Sequence, residues 1–213
     1  MNELRGKVGA FKVGLQLFTS AGPEFVRELT DSGLSVFLDL KFHDIPNTVA
    51  KAAIEAARLG VWMLNVHALG GLEMMLQTQR EIRKVCQLES RRCPILLGVT
   101  VLTSFDQKAM NEIGVSRGID EQVDSLTALT AKAGFDGVVA SAREVAMIRR
   151  APGGKDLLIV TPGIRAISAT NDDQKRVMSF GEAVAAGADY VVVGRPVIEA
   201  ENRLAALEML LSS

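Results

Sequence analysis

Cysteine is scarce: two residues, Cys86 and Cys93, in 213. They lie too far apart for a C-x-x-C pair, and no His or Cys cluster accompanies them. They read as reduced thiols in packing or surface positions. Histidine is equally scarce, with only His43 and His67. Neither H-x-x-x-H nor facial carboxylate spacing surrounds them, so no metal site is expected, and both read as structural or as lining a strand-end mouth. No apolar run approaches the ~18 residues that would span a membrane. The segment from Met1 to Lys7 has no signal-peptide core, so a cytoplasmic chain is expected. An excess of charge is missing too: 24 Lys and Arg stand against 25 Asp and Glu. Such a balance gives no support to a nucleic-acid or membrane surface as its main partner. The 19 glycines follow no Gly-X-Y period, which removes a collagen-like reading. With 48% hydrophobic and 23% charged residues, general disorder is excluded.

What the chain does have is alternation. Short β-branched runs are predicted as strands at Ala10–Gly14, Ser35–Lys41, Met63–His67, Ile95–Val101, Gly137–Ala140, Leu158–Thr161 and Tyr190–Gly194. VFLDL, ILLGVTV, LLIVT and YVVVG are almost continuously apolar, as strands covered on both faces of a parallel sheet are. Helical patterns separate them. One is expected to start at Pro23 and stop at Gly33, and others cover Ile45–Leu59, Gly71–Glu89, Gly118–Ala133, Ala142–Arg150, Ser179–Ala186 and Arg203–Leu211. Two helix-to-strand junctions echo each other, Ala133-Gly134-Phe135-Asp136 and Ala186-Gly187-Ala188-Asp189.

No linker divides the chain, so a single domain over residues 1–213 is expected. Repeated strand–helix units imply a parallel sheet. A closed (β/α)8 barrel needs eight strands and typically ~250 residues. The expected fold is therefore α/β, a (β/α)8 TIM barrel lacking its first strand in this chain. An open doubly wound sheet is the alternative, although no Gly-x-Gly-x-x-Gly follows the first strand. The irregular stretch Arg165–Met178 is a candidate active-site lid.

The most informative segment is DLKFHDIPNT, from Asp39 to Thr48. Strand alternation puts Asp39 and Lys41 on one face with Phe37, and Leu38 and Leu40 on the other. Asp44 follows in the loop. Lys12 sits in the preceding strand, and sequential strands are usually neighbours, so it can reach Asp39. The expected product is an alternating Lys–Asp–Lys–Asp cluster, with an ammonium acid beside a fixed negative charge. A structural ion-pair network is the other reading of the same spacing. Near the end of the chain, Gly194 permits close approach and Arg195 can grip a phosphate. Thr161-Pro162-Gly163-Ile164-Arg165 offers a further Gly and Arg. Together these strand ends favour a phosphorylated substrate.

Taken in order, FKVG, DLKFHDIPNT, VTVLTS, TPGIR, DDQ and VVVGRPV resemble the bacterial type of the orotidine 5′-phosphate decarboxylase family over essentially the whole chain. That resemblance implies a homodimeric (β/α)8 barrel converting the nucleotide orotidine monophosphate to UMP and CO2 without metal or organic cofactor. It makes Lys41 the acid that protonates C6, with Asp39 beside the departing carboxylate and Lys12 in the same network near the ribose. Asp44 would enter the neighbouring subunit's site, lined also by Ile45 and Thr48. Thr103 falls near the base. Arg165, Gln174, Gly194 and Arg195 match the phosphate end, with Gln174 on the closing loop. The family also carries an Asp at the end of a strand upstream of the lysine matching Lys12, and this sequence begins after that point. A form extended by that strand is expected to be more stable and more active. Two alternatives share parts of the pattern: a Mg²⁺-dependent sugar-phosphate decarboxylase or aldolase with D-x-K-x-x-D, and a non-catalytic phosphate-binding barrel.

Overall fold

The computed structural model describes residues 1–163 and 178–212. After a 3-10 turn at Asn2–Leu4, the elements alternate: β1 Phe11–Gly14, α1 Leu15–Asp31, β2 Val36–Phe42, α2 Pro46–Arg58, β3 Met63–His67, α3 Gly71–Leu88 and β4 Ile95–Val99. Then follow α4 Gln107–Glu112, α5 Ile119–Lys132, β5 Gly137–Val139, α6 Val145–Arg150, β6 Leu158–Thr161, α7 Phe180–Ala185, β7 Tyr190–Val191, α8 Arg195–Ile198 and α9 Arg203–Leu211. Strand order in the sheet follows chain order from β1 to β7. The protein is thus α/β, with the sequential parallel strands and intervening helices of a TIM-type (β/α) topology. Among the described residues no helix is long and apolar enough to cross a membrane.

The described residues cluster into two compact units. The first comprises Met1, Arg5–Val99 and Leu129–Gly137. In it β1, β2, β3 and β4 pair in parallel, each with the next. Helix α2 begins with Pro46, whose missing N–H costs nothing at a helix start. It buries Val49, Ala50, Ala53, Ala56 and Ala57, a stripe of mostly small side chains at helical spacing. Helix α3 buries Met74, Met75, Thr78, Ile82 and Cys86 in the same way. Leu38, Met63, Leu64 and Leu97 are fully buried strand residues, each contributing roughly 1.5–3 kcal/mol of hydrophobic stabilisation. Cys86 is buried and Cys93 exposed, and both are free. Burial, and then the contact with Cys93, push the Cys86 thiol up to about 12.

The second unit comprises Asn2–Leu4, Thr100–Ala128 and Val138–Ser213. Its β6 and β7 pair in parallel, Val160 with Tyr190 and Thr161 with Val191. Ala183 and Leu210 form a buried cluster with Ala142.

Several boundaries differ from expectation. Helix α1 starts at Leu15 rather than Pro23. Gly22, at φ 75°, breaks it into two pieces, and Pro23 opens the second. Positive φ is the conformation glycine tolerates, so the expected start signal marks a kink within a longer element. The strand expected to reach Val101 ends at Val99. The amide and hydroxyl of Thr100 both donate to Val139 O, each at 3.1 Å. β7 covers only Tyr190–Val191, although Val192 N still donates to Thr161 O at 2.8 Å. Helices α4 and α8 have no counterpart among the predicted elements.

The echoed junctions share a device. Asp136 Oδ2 accepts from Leu96 N at 2.8 Å in the first unit, and Asp189 Oδ2 accepts from Ile159 N at 2.7 Å in the second. In each, the aspartate before one strand satisfies a backbone donor at the start of the strand before it. Asp189 is additionally paired with Arg149.

Candidate active site

Asp39 and Lys41 of DLKFHDIPNT meet Lys12 at the carboxyl ends of β1 and β2. β1 pairs with β2 so that Lys12 lies opposite Phe37 and Gly14 opposite Asp39. Lys12 therefore starts two residues behind Asp39 and reaches forward, its Nζ 3.3 Å from Asp39 Oδ2. Gly14 leaves room for this path: a Cβ there would stand 2.9 Å from Lys12 Nζ. Lys41 Nζ lies 2.6 Å from Asp39 Oδ1. One carboxylate thus holds two ammonium groups, one on each oxygen.

The end of β2 is irregular where the chemistry sits. Leu38 pairs with Leu64 and Phe42 with Val66, so β2 spends four residues where β3 spends two. Such a bulge unpairs backbone groups and re-aims side chains. Lys41 lies within it at φ 51°, uncommon for a residue with a side chain. Its amide donates to Asn65 Oδ1 at 2.8 Å, and Asn65 Nδ2 donates to Asp39 Oδ1 at 2.7 Å. Asn65 is fully buried in β3. It was not among the expected site residues. Its one sequence signal is an amide within the apolar strand MLNVH, on the same face as His67.

Burial alone raises the Asp39 carboxyl. The charges of Lys41 and then Lys12, with hydrogen bonds from Lys41 and Asn65, together outweigh it and hold Asp39 below the usual carboxylate range. For His67, burial, then the charges of His43 and Lys41, lower the pKa to about 4 against the opposing pull of Asp39. His67 is therefore neutral at physiological pH. Its ring centroid is 5.5 Å from that of His43, and its buried Nδ1 has no hydrogen-bond partner among the described residues. Among the described residues, no three His, Cys, Asp or Glu side chains are grouped as a metal ion would require.

The remaining predicted residues are placed as follows. Asp44, Ile45 and Thr48 are exposed in the turn leading into α2 and its first residues. Asp44 Oδ1 accepts from Ile45 N at 2.6 Å, and Asp44 makes no ion pair with Lys12 or Lys41. Within this chain the cluster is thus Lys12–Asp39–Lys41. In the second unit, Thr103 is half-buried in a turn, Gly194 caps α8, and exposed Arg195 is its first residue. Arg165 and Gln174 lie outside the described residues, as does nearly all of the candidate lid.

Sequential parallel strands carrying a paired ammonium–carboxylate cluster at their carboxyl ends define a barrel-type α/β protein, and in such proteins that end holds the chemistry. Residues 1–210 match the family model described as Orotidine 5′-phosphate decarboxylase / HUMPS family. The orotidine 5′-phosphate decarboxylase of Syntrophotalea carbinolica is 55% identical over 210 residues, 99% of this chain and 86% of that protein. The protein of the same name from Geobacter sulfurreducens is 51% identical, over 98% of this chain and 86% of its own length. A solved orotidine 5′-phosphate decarboxylase from Lactobacillus acidophilus superposes with a TM-score of 0.81 at 37% identity, covering 99% of this chain and 91% of that one. The chain belongs to the orotidine 5′-phosphate decarboxylase / HUMPS family.

Proposed function

We propose that this protein decarboxylates orotidine 5′-phosphate to UMP and CO2. The observation that carries the reading is the Lys12–Asp39–Lys41 cluster, built from the lysine of FKVG and the D-x-K of DLKFHDIPNT in a chain of this family. In the reaction the C6–carboxylate bond breaks, CO2 leaves, and its electron pair stays on C6. The Lys41 ammonium delivers a proton there. Asp39 holds that ammonium in place, and its own negative charge disfavours a second carboxylate beside it, a repulsion that departure of CO2 relieves. Lys12 holds the far oxygen of Asp39 and faces the ribose.

The other assignments belong to the same proposal. Asp44, Ile45 and Thr48, exposed beside α2, serve a neighbouring subunit of a homodimer. Thr103 contacts the base. Arg165, Gln174, Gly194 and Arg195 hold the phosphate, whose binding energy aligns the reacting carbon. No cofactor takes part, and the enzyme works in the cytoplasm on a nucleotide rather than a nucleic acid.

The test is turnover of orotidine 5′-phosphate by the purified chain, with and without EDTA, beside its Lys41→Ala variant. EDTA-insensitive UMP formation is expected. Loss of the proton donor should cost about 10²–10⁴-fold or more in kcat, with the fold retained by circular dichroism. Near-normal turnover by folded Lys41→Ala rejects the assignment. Loss of activity in EDTA, restored by Mg²⁺, would instead favour a sugar-phosphate decarboxylase or aldolase.

A further inference from the structure

We propose that Asn65 is a positioning residue that sets the Lys41–Asp39 pair by tying the backbone of one to the carboxylate of the other. The inference rests on the reading of Lys41 as proton donor and goes beyond it, since no part of that reading requires Asn65.

The bulge at the end of β2 frees a backbone donor. β2 places two more residues than β3 between the Leu38–Leu64 and Phe42–Val66 pairs, so the Lys41 amide has no regular ladder partner. Asn65 Oδ1 accepts from it at 2.8 Å. Asn65 lies on the face of β3 that it shares with Met63 and His67, and is fully buried. A buried amide is costly unless both its ends are paired. Here the second end, Nδ2, donates to Asp39 Oδ1 at 2.7 Å, the oxygen that also receives Lys41 Nζ at 2.6 Å.

Only one orientation of the amide satisfies both neighbours. The backbone N–H requires an acceptor and the carboxylate a donor, which fixes Oδ1 and Nδ2 in place. A carboxylate at this position could accept from Lys41 N but could not donate to Asp39. A leucine could do neither, and a serine hydroxyl is too short to span both. With Asn65 in place, Asp39 cannot rotate: Oδ1 is held by Lys41 and Asn65, and Oδ2 lies toward Lys12 at 3.3 Å. Lys41 at positive φ is likewise held from both ends, by its amide and by its ammonium. Small misplacements of a reacting group can cost about 10²-fold in rate, so such a tie belongs to the catalytic geometry.

The experiment uses the full chain with Asn65→Ala and the near-isosteric Asn65→Asp. Four quantities are read: kcat and KM for orotidine 5′-phosphate, UMP affinity, thermal unfolding, and titration of the Asp39 carboxyl by ¹³C NMR. For Asn65→Ala, kcat should fall about 10²-fold, with KM and UMP affinity within about threefold, and Asp39 should titrate higher than in the parent. In Asn65→Asp a second carboxylate faces that of Asp39, so the acid limb of kcat/KM should move up by about one pH unit or more. Folded variants with parental kcat and an unmoved Asp39 titration overturn the proposal. A fall in kcat that follows the loss of folded protein, with the pH profile unmoved, also overturns it, because it marks a purely structural residue. The Asp39 titration is read without turnover. It therefore decides the Asn65 tie even if folded Lys41→Ala proves active and the proton-donor reading fails.

Discussion

The carboxyl ends of β2 and β7 are built on opposite plans. β2 is seven residues long, flanked by β1 and β3, and its end carries charged side chains interlocked at 2.6–3.3 Å. β7 is two residues long and runs out through Val192 and Val193 to a glycine and a four-residue helix. One end achieves its arrangement with side chains before any ligand arrives. The other presents backbone and, among the described residues, the exposed side chain of Arg195 at the start of that helix. The difference teaches that substitutions at the first end should act on the protein's own geometry, and those at the second on bound phosphate.

The largest expected effect tests whether the β2 end is shared between subunits. Lys41→Ala and Asp44→Ala should each be nearly inactive alone. Mixed, they should regain activity approaching one competent site per heterodimer, because Asp44 makes no ion pair with either lysine of its own cluster. Purified heterodimers as inactive as both parents would place Asp44 elsewhere.

Next comes Arg195→Ala. A charged hydrogen bond contributes about 1.5–3 kcal/mol, so UMP affinity should fall about 10–150-fold while uridine affinity barely changes. Isothermal titration with both ligands measures this, and equal losses would remove Arg195 from the phosphate end.

A matched pair of glycines gives a smaller and sharper contrast. Gly14→Ala puts a methyl 2.9 Å from Lys12 Nζ, the far end of a flexible side chain. Unfolding should be little altered, while kcat drops several-fold as the ammonium is pushed aside. Among the described residues, the methyl of Gly194→Ala meets nothing within 4 Å, and the position needs no positive φ. It should leave stability and the Asp39 cluster untouched and weaken UMP through the methyl's clash with the ligand. Identical kinetic signatures from the two variants would dissolve the contrast between the strand ends.

The smallest effect is a pH slope. Folded His67, at about 4, lies below its ordinary 6.5, so the unfolded chain binds that proton more tightly. The stability His67 contributes is complete above about pH 6.5 and is lost as pH falls through 4. Urea unfolding between those values should show a shallower decline for His67→Gln than for the parent. Parallel declines would show that His67 is not desolvated as described.

The amino-acid sequence by itself determined the order of strands and helices, because two-sided burial leaves continuous apolar runs and glycine or proline marks where helices stop or turn. It also brought Lys12, Asp39 and Lys41 to one strand end, since alternation and neighbouring parallel strands leave those side chains few other places to go. The resemblance extended that reading to residues such as Ile45 and Thr103, whose places after strands follow no period. Tertiary structure alone decided the rest. The bulge at Lys41 arises from pairing across β2 and β3, and period-two reasoning assumes no such slip. Asn65 joined the cluster because the freed amide of Lys41 lay opposite it. The kink at Gly22 was likewise settled by backbone geometry, which leaves little trace in hydrophobic patterning.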